Sequence, residues 1–161
     1  MTTPAAVEHD ELGRLVAARF DSTRPQPDAP FERWLIGVDG SEHALKAVAH
    51  AAKWAGVVRG LALDLIHVVH WLSKEAAEEL PALGLEETRA AREALDAAGV
   101  PWRLHVVMGE TAATVVSRAE ALGANAIVLG SHGQGGFKAM LLGSVAMEVL
   151  HRASIPVWIV R

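Results

Sequence analysis

From position 34 onward the chain alternates between two kinds of hydrophobic pattern. Short, nearly unbroken apolar runs read as strands covered on both faces: WLIGVD (34–39), LALDLIHVVH (61–70), WRLHVVM (102–108), AIVLG (126–130) and PVWIV (156–160). Between them lie segments with helical spacing. These are SEHALKAVAHAAKWA (41–55), a stretch from 75 to 98 broken by Pro81 and Gly84, TAATVVSRAEALG (111–123) and SVAMEVLHRA (144–153). Within the broken stretch the regular part is LEETRAAREALDAAG. Ser41 is placed to cap the first helix, and Thr111 stands near the start of a later one. Strands alternating with helices imply parallel strands joined by right-handed crossovers. Five such units are too few for an eightfold barrel. The expected fold is therefore α/β, an open five-stranded parallel sheet with helices on both faces.

The first thirty residues follow a different rhythm. Val7, Leu12, Leu15, Val16 and Phe20 fall roughly on one helical face, and DSTRPQPDAP (21–30) then carries three prolines. This predicts an N-terminal extension over 1–30, a short amphipathic helix and a Pro-rich linker, ahead of a single domain over 31–161. Two readings of the extension stand side by side: a loosely packed tail, or an arm docking its apolar face on the domain or on a partner subunit.

Composition narrows the function classes. The chain has 161 residues, 51% hydrophobic and 21% charged, which suits one domain with a real core. A formal net charge of −4 argues against a broad nucleic-acid footprint. The absence of cysteine removes disulfides, thiolate catalysis and Cys-based zinc sites. The N-terminus has acids where a secretion signal needs positive charge, and no run is apolar and long enough for a bilayer. The expectation is a cytoplasmic protein with neither nucleic acid nor membrane as partner.

The candidate chemistry lies in GSHGQGGFKAMLLGS (130–144), where five of fifteen residues are glycine between a strand and a helix. In an open parallel sheet, ligands bind outside the carboxyl ends of the strands. Two loops at such ends carry suitable residues: Asp39-Gly40-Ser41, and the segment from Gly130 to Ser144. Glycines permit positive φ and close backbone approach, and exposed N–H groups can surround phosphate oxygens. A helix starting near Ser144 adds free N–H groups and the positive end of its dipole. A phosphate cradle and a purely structural turn both fit these facts. Named rivals do not. No lysine precedes Ser144 as a P-loop requires, position 138 is lysine where the dinucleotide fingerprint needs glycine, and no G-x-S-x-G run occurs.

The spacing that fits is Gly130-x-x-Gly133, nine residues, then Gly143-Ser144. With WLIGVDGSEHALKAVAHA, LIHVV, GANAIVLGSHG and PVWIV around it, the chain over roughly 33–161 resembles the universal stress proteins. The resemblance implies the strand order 3-2-1-4-5 for the five predicted strands. It implies adenine-nucleotide binding, ATP or else ADP or AMP, with Mg²⁺ as a companion of the nucleotide. Carried over by position, Asp39 meets the ribose or adenosine part. The backbone around Val68 meets the adenine edge, with Val38 and Leu129 packing nearby, and Gly130 lies close to the ribose. Gly133, Gly143, Ser144 and the N–H of Val145 hold phosphates. The resemblance also implies a homodimer through the C-terminal strand, 156–160, an unknown regulatory protein partner, and a role as stress-response sensor or regulator. Two departures weaken the hold on outer phosphates: Gln134 stands where relatives often have a basic residue, and Ala146 where they often have a hydroxyl. Lys138 reads as a solvated loop lysine, with a charge offered to the phosphates as the alternative. A nucleotide-free interaction protein of the same fold, and a slow ATP hydrolase or self-phosphorylating enzyme, are the alternative readings.

The remaining residues speak for structure. His67 and His70, three apart on a strand, point to opposite faces and cannot chelate. His43 and His50 are seven apart on a helix, and His105 stands alone. His132, inside the G-x-x-G segment, either orients the loop or approaches a phosphate. Trp34, Trp102 and Trp158 suit a packed sheet, and Trp158 also suits a dimer contact. Glu75, Glu78, Glu79, Glu86 and Glu87 read as a solvated helical face. No nucleophilic triad, acid pair or metal spacing appears.

Overall fold

The computed structural model describes residues 3–134 and 142–161. In chain order the elements begin with β1 (Ala6–His9), β2 (Leu15–Asp21), β3 (Glu32–Gly37), α1 (Glu42–Ala55) and β4 (Leu61–Val69). Three short helices follow, α2 (Lys74–Ala77), α3 (Leu80–Glu87) and α4 (Arg89–Ala97). The chain ends with β5 (Trp102–Met108), α5 (Thr111–Ala121), β6 (Ala126–Gly130), α6 (Ser144–Arg152) and β7 (Val157–Val160).

One sheet holds all seven strands, in the order β1-β2-β5-β4-β3-β6-β7. The five predicted strands are parallel and lie in the expected sequence, with β3 central between β4 and β6. The expectation of a five-stranded, all-parallel sheet is corrected: β1 and β2 add an antiparallel hairpin on the β5 edge. The helix expected over 7–20 is therefore a hairpin. Its turn lies at Asp10–Gly13, where Asp10 Oδ1 accepts the N–H groups of Leu12 and Arg14 and Gly13 adopts φ +69°. A side-chain acceptor at the first turn position and a glycine at the fourth favour reversal over helix. Phe20 and Ala18 then pack on one face of the sheet and Ala17 on the other, so β2 shields the flank of β5.

Two cores sandwich the sheet. On one face α1, α3 and α4 deliver Ala47, Val48, Leu80 and Leu95 onto Ile36, Leu63, Leu65, Leu104 and Val106. On the other, α5 and α6 deliver Ala112, Val115, Ala119, Ala146 and Val149 onto Leu35, Ile66, Ile127 and Leu129. Ser41 caps α1 as expected, its Oγ accepting the Ala44 N–H at 3.2 Å. Thr111 opens α5 as expected, and Glu110 caps it, its carboxylate accepting from the Ala112 and Ala113 N–H groups. Pro81 does not interrupt a helix but opens α3, where its missing N–H costs nothing. No helix among the described residues is long and apolar enough to cross a membrane.

Buried beneath the α5 and α6 side is a charged cluster. Asp64 is fully buried and receives Arg33 Nη1 at 2.5 Å and His105 Nε2 at 2.8 Å. Burial pushes its carboxyl pKa up, but the hydrogen bond and charge of His105 and the Arg33 guanidinium outweigh this and hold it below the ordinary value. His105, read from sequence as standing alone, is thus a partner of Asp64.

Candidate functional site

The carboxyl ends of β3, β4 and β6 open into a cavity of about 550 Å³, walled by α3, α5 and the first turn of α6. That volume is in the range of small-molecule sites. The ten residues singled out from sequence all line it: Val38, Asp39, Val68, Leu129, Gly130, His132, Gly133, Gly143, Ser144 and Val145.

The central strand supplies the floor. Val38 continues the ladder past β3, donating its N–H to Ile66 O at 2.9 Å. Its own carbonyl accepts His67 Nδ1 at 2.8 Å, which requires the proton on that nitrogen. Asp39 then turns the chain into α1, with Oδ1 accepting the Ser41 N–H at 3.0 Å. Its other oxygen accepts the Gln134 N–H at 3.0 Å, so one carboxylate ties the end of β3 to the loop after β6. The Gln134 side chain completes the tie, donating from Nε2 to Asp39 O at 2.5 Å and to Glu87 Oε2 at 3.2 Å.

The glycines of this loop have specific neighbours. A Cβ at Gly133 would lie 2.5 Å from Asp39 Oδ2, and one at Gly130 would lie 2.5 Å from the carbonyl carbon of His43 in α1. Neither Gly130 nor Gly133 has a positive φ, so close approach and not left-handed backbone is what favours glycine at these two positions. Gly135, Gly136 and Lys138 lie outside the described residues. Gly143 donates its N–H to Ser131 O at 2.8 Å and occupies the N-cap position of α6, which has no side-chain cap. The first-turn N–H groups of α6 and its positive dipole end therefore stand at the cavity wall without an internal acceptor from a capping side chain.

Around this frame a sequence model of the universal stress protein family matches residues 30–161. The chain belongs to the universal stress protein family. Among its relatives, Universal stress protein Rv2005c of Mycobacterium tuberculosis is 35% identical over 98% of the chain and 51% of that protein. The chain thus spans about half the length of this mycobacterial relative. Universal stress protein YxiE of Bacillus subtilis is 29% identical over 81% of the chain and 99% of its own length. A solved universal stress protein in complex with cAMP superposes with a TM-score of 0.61 at 26% identity, covering 83% of this chain and 98% of that one.

Several features of the cavity were not read from the sequence. His67 and His70 both line the cavity, His67 buried against Val38 and His70 just past β4, although three-residue spacing placed them apart. The chain leaves the strand after Val69, and strand alternation no longer governs His70. Glu87, grouped with a solvated helical face, lines the cavity at the end of α3; only its contact with the distant Gln134 reveals this, and no local pattern encodes it. His132 is tied to its neighbours: Ser131 Oγ lies 3.1 Å from His132 Nδ1 and 3.2 Å from His43 Nδ1, so one hydroxyl links the loop to α1. No group of three metal-ligating side chains occurs among the described residues.

Proposed function

We propose that this universal stress protein binds an adenine nucleotide in the cavity above β3, β4 and β6 and acts as a dimeric sensor or regulator. The observation that carries this reading is the convergence of two independent features on one cavity: an uncapped helix start bordered by glycines, and an apolar slot beside an acidic wall. The residues fit the group. The N–H groups of Ser144 and Val145 are suited to phosphate oxygens, and Gly143 leaves the approach to them free of a side chain. Val38, Val68 and Leu129 offer apolar surface to a base, and Asp39 offers acceptors to ribose hydroxyls. The solved relative in complex with cAMP supports the same class of ligand.

Gln134 supports a preference for the inner phosphates. Its amide is engaged by Asp39 O and Glu87 and brings no positive charge, and Ala146 brings no hydroxyl. AMP or ADP is then held at least as well as ATP, and Mg²⁺ enters only with the nucleotide. The dimer reading rests on β7, which ends the sheet with Val157, Trp158, Ile159 and Val160 all half-buried. The neighbouring α6 leaves Val145, Met147 and Leu150 exposed, and an unpaired apolar edge of this kind needs cover. A second copy of the chain pairing along 156–160 supplies it, and a regulatory partner then reads the nucleotide state. The test is mass spectrometry of small molecules released from freshly purified, denatured protein, with equilibrium dialysis against AMP, ADP and ATP. Adenine nucleotide in either experiment supports the reading; its absence from both, with Mg²⁺ present, rejects it.

A further inference from the structure

Asp39 alone would satisfy a sugar, yet the same wall carries a second acid. The Oε2 of Glu87 lies where a Cβ on Gly40 would approach it to 2.7 Å, and one Gln134 amide spans Glu87 Oε2 and the Asp39 carbonyl. Both carboxylates line the cavity, and neither has a cationic partner among the described residues. Gly40 makes the approach possible: with φ +77° and Glu87 O also 3.3 Å from its Cβ position, no side chain separates α3 from the turn after β3.

The strand order places this pair. Val68 is the last residue but one of β4, Asp39 follows β3, and Gly130 ends β6 ahead of the loop and α6, with β3 between the other two. Neighbouring strands are about 4.8 Å apart. A nucleotide with its base over β4 and its phosphate at the start of α6 carries its sugar across the end of β3, beside Asp39 and Glu87. Ionised carboxylates only accept hydrogen bonds. Free ribose hydroxyls can donate to them, whereas a phosphate ester on the sugar brings acceptors and like charge.

We propose that Glu87, fixed beside Asp39 through Gln134, makes the site select nucleotides with free ribose hydroxyls and reject those phosphorylated on the sugar. This rests on the nucleotide reading above. The class rejected is the ribose 2′- and 3′-phosphates.

The experiment titrates the full-length protein with AMP and with adenosine 3′,5′-bisphosphate, which share base and 5′-phosphate. Wild-type protein binds the bisphosphate at least about tenfold more weakly. Glu87→Gln narrows the ratio several-fold, and added salt narrows it in wild type. Glu86→Gln, at an exposed position paired with Arg89, keeps the wild-type ratio. Each ratio is read within one protein, so partial unfolding lowers both affinities alike. Equal affinities in wild type, or an unchanged ratio in Glu87→Gln, overturn the selection while the nucleotide reading stands. Failure of wild type to bind AMP overturns the selection, and failure to bind AMP, ADP and ATP alike overturns the nucleotide reading with it.

Discussion

Gly130→Ala tests the architecture of the site at its tightest point. Gly130 ends β6 directly against the first turn of α1, and an added Cβ would meet His43 C at 2.5 Å, His43 O at 2.6 Å and His43 Cβ at 2.8 Å. Ordinary contact begins at 3.4 Å, so the shortfall against the carbonyl carbon is 3.4 − 2.5 = 0.9 Å. Two of the three atoms are helix backbone and cannot rotate away. Relief requires α1 to lift from β6, and α1 rests on this part of the sheet through Ala44, Ala47, Val48 and Ala51, all buried. Overpacking of this kind costs about 1–3 kcal/mol, and the immovable backbone places Gly130→Ala near the upper end. For a chain of this size about 2–3 kcal/mol lowers Tm by roughly 4–12 °C. The assay is urea and thermal unfolding followed by circular dichroism, with Gly56→Ala as control. Gly56 has φ −75° and its Cβ position is 3.4 Å from Lys53 O, so alanine there is neutral or slightly stabilising. A Gly130→Ala protein as stable as wild type would refute the close approach of α1 and β6, and with it the shape of the cavity floor.

Three further outcomes follow from the same geometry. Asp64→Asn removes the buried negative charge shared by Arg33 and His105, leaves one carbonyl acceptor for the two donors and strips the half-buried Arg33 guanidinium of its counter-charge, costing about 1–3 kcal/mol in urea unfolding at pH 7. Because the folded-state pKa of Asp64 is depressed, its contribution is complete above the unfolded carboxyl value near pH ~4 and is lost as pH falls through the folded value. The acid limb of a stability-versus-pH curve is therefore shallower in Asp64→Asn, and identical limbs would count against the assignment. Gly143→Val occupies the space before α6 but keeps a backbone, φ −69° and ψ 159°, that valine adopts readily. Its circular dichroism spectrum matches wild type while AMP binding is lost; retained binding would exclude phosphate contact at this helix start. Ile159→Lys puts a charge on the half-buried edge strand and shifts sedimentation toward monomer, whereas an unaltered dimer would place the interface elsewhere.

Legibility differed sharply between parts of the chain. The strands from β3 to β6 were readable because two-sided burial forces unbroken apolar runs, as in AIVLG, where four of five residues are buried, and half-buried β7 was readable from its apolar run PVWIV. The order of those strands came from resemblance and not from the runs themselves, since a crossover leaves no mark on hydrophobicity. The hairpin of β1 and β2 was misread because Leu12, Leu15, Val16 and Phe20 match a helical stripe by spacing alone. The contrary signal, Asp10 three residues before Gly13, is a turn motif of four residues and outweighs that stripe physically. At the site, residues next to glycines or at strand ends were legible. Glu87 and His67 were not, because their roles arise from Gln134, 47 residues from Glu87, and from Val38, 29 residues from His67.

The most direct measurement is calorimetric titration of wild-type protein and Gly143→Val with AMP, ADP and ATP in the presence of Mg²⁺. The account predicts saturable binding to wild type, with ATP no tighter than ADP, and no binding heat from the variant. Absence of heat from wild type with all three nucleotides would contradict it, and would leave the glycines the role of a turn joining β6 to α6.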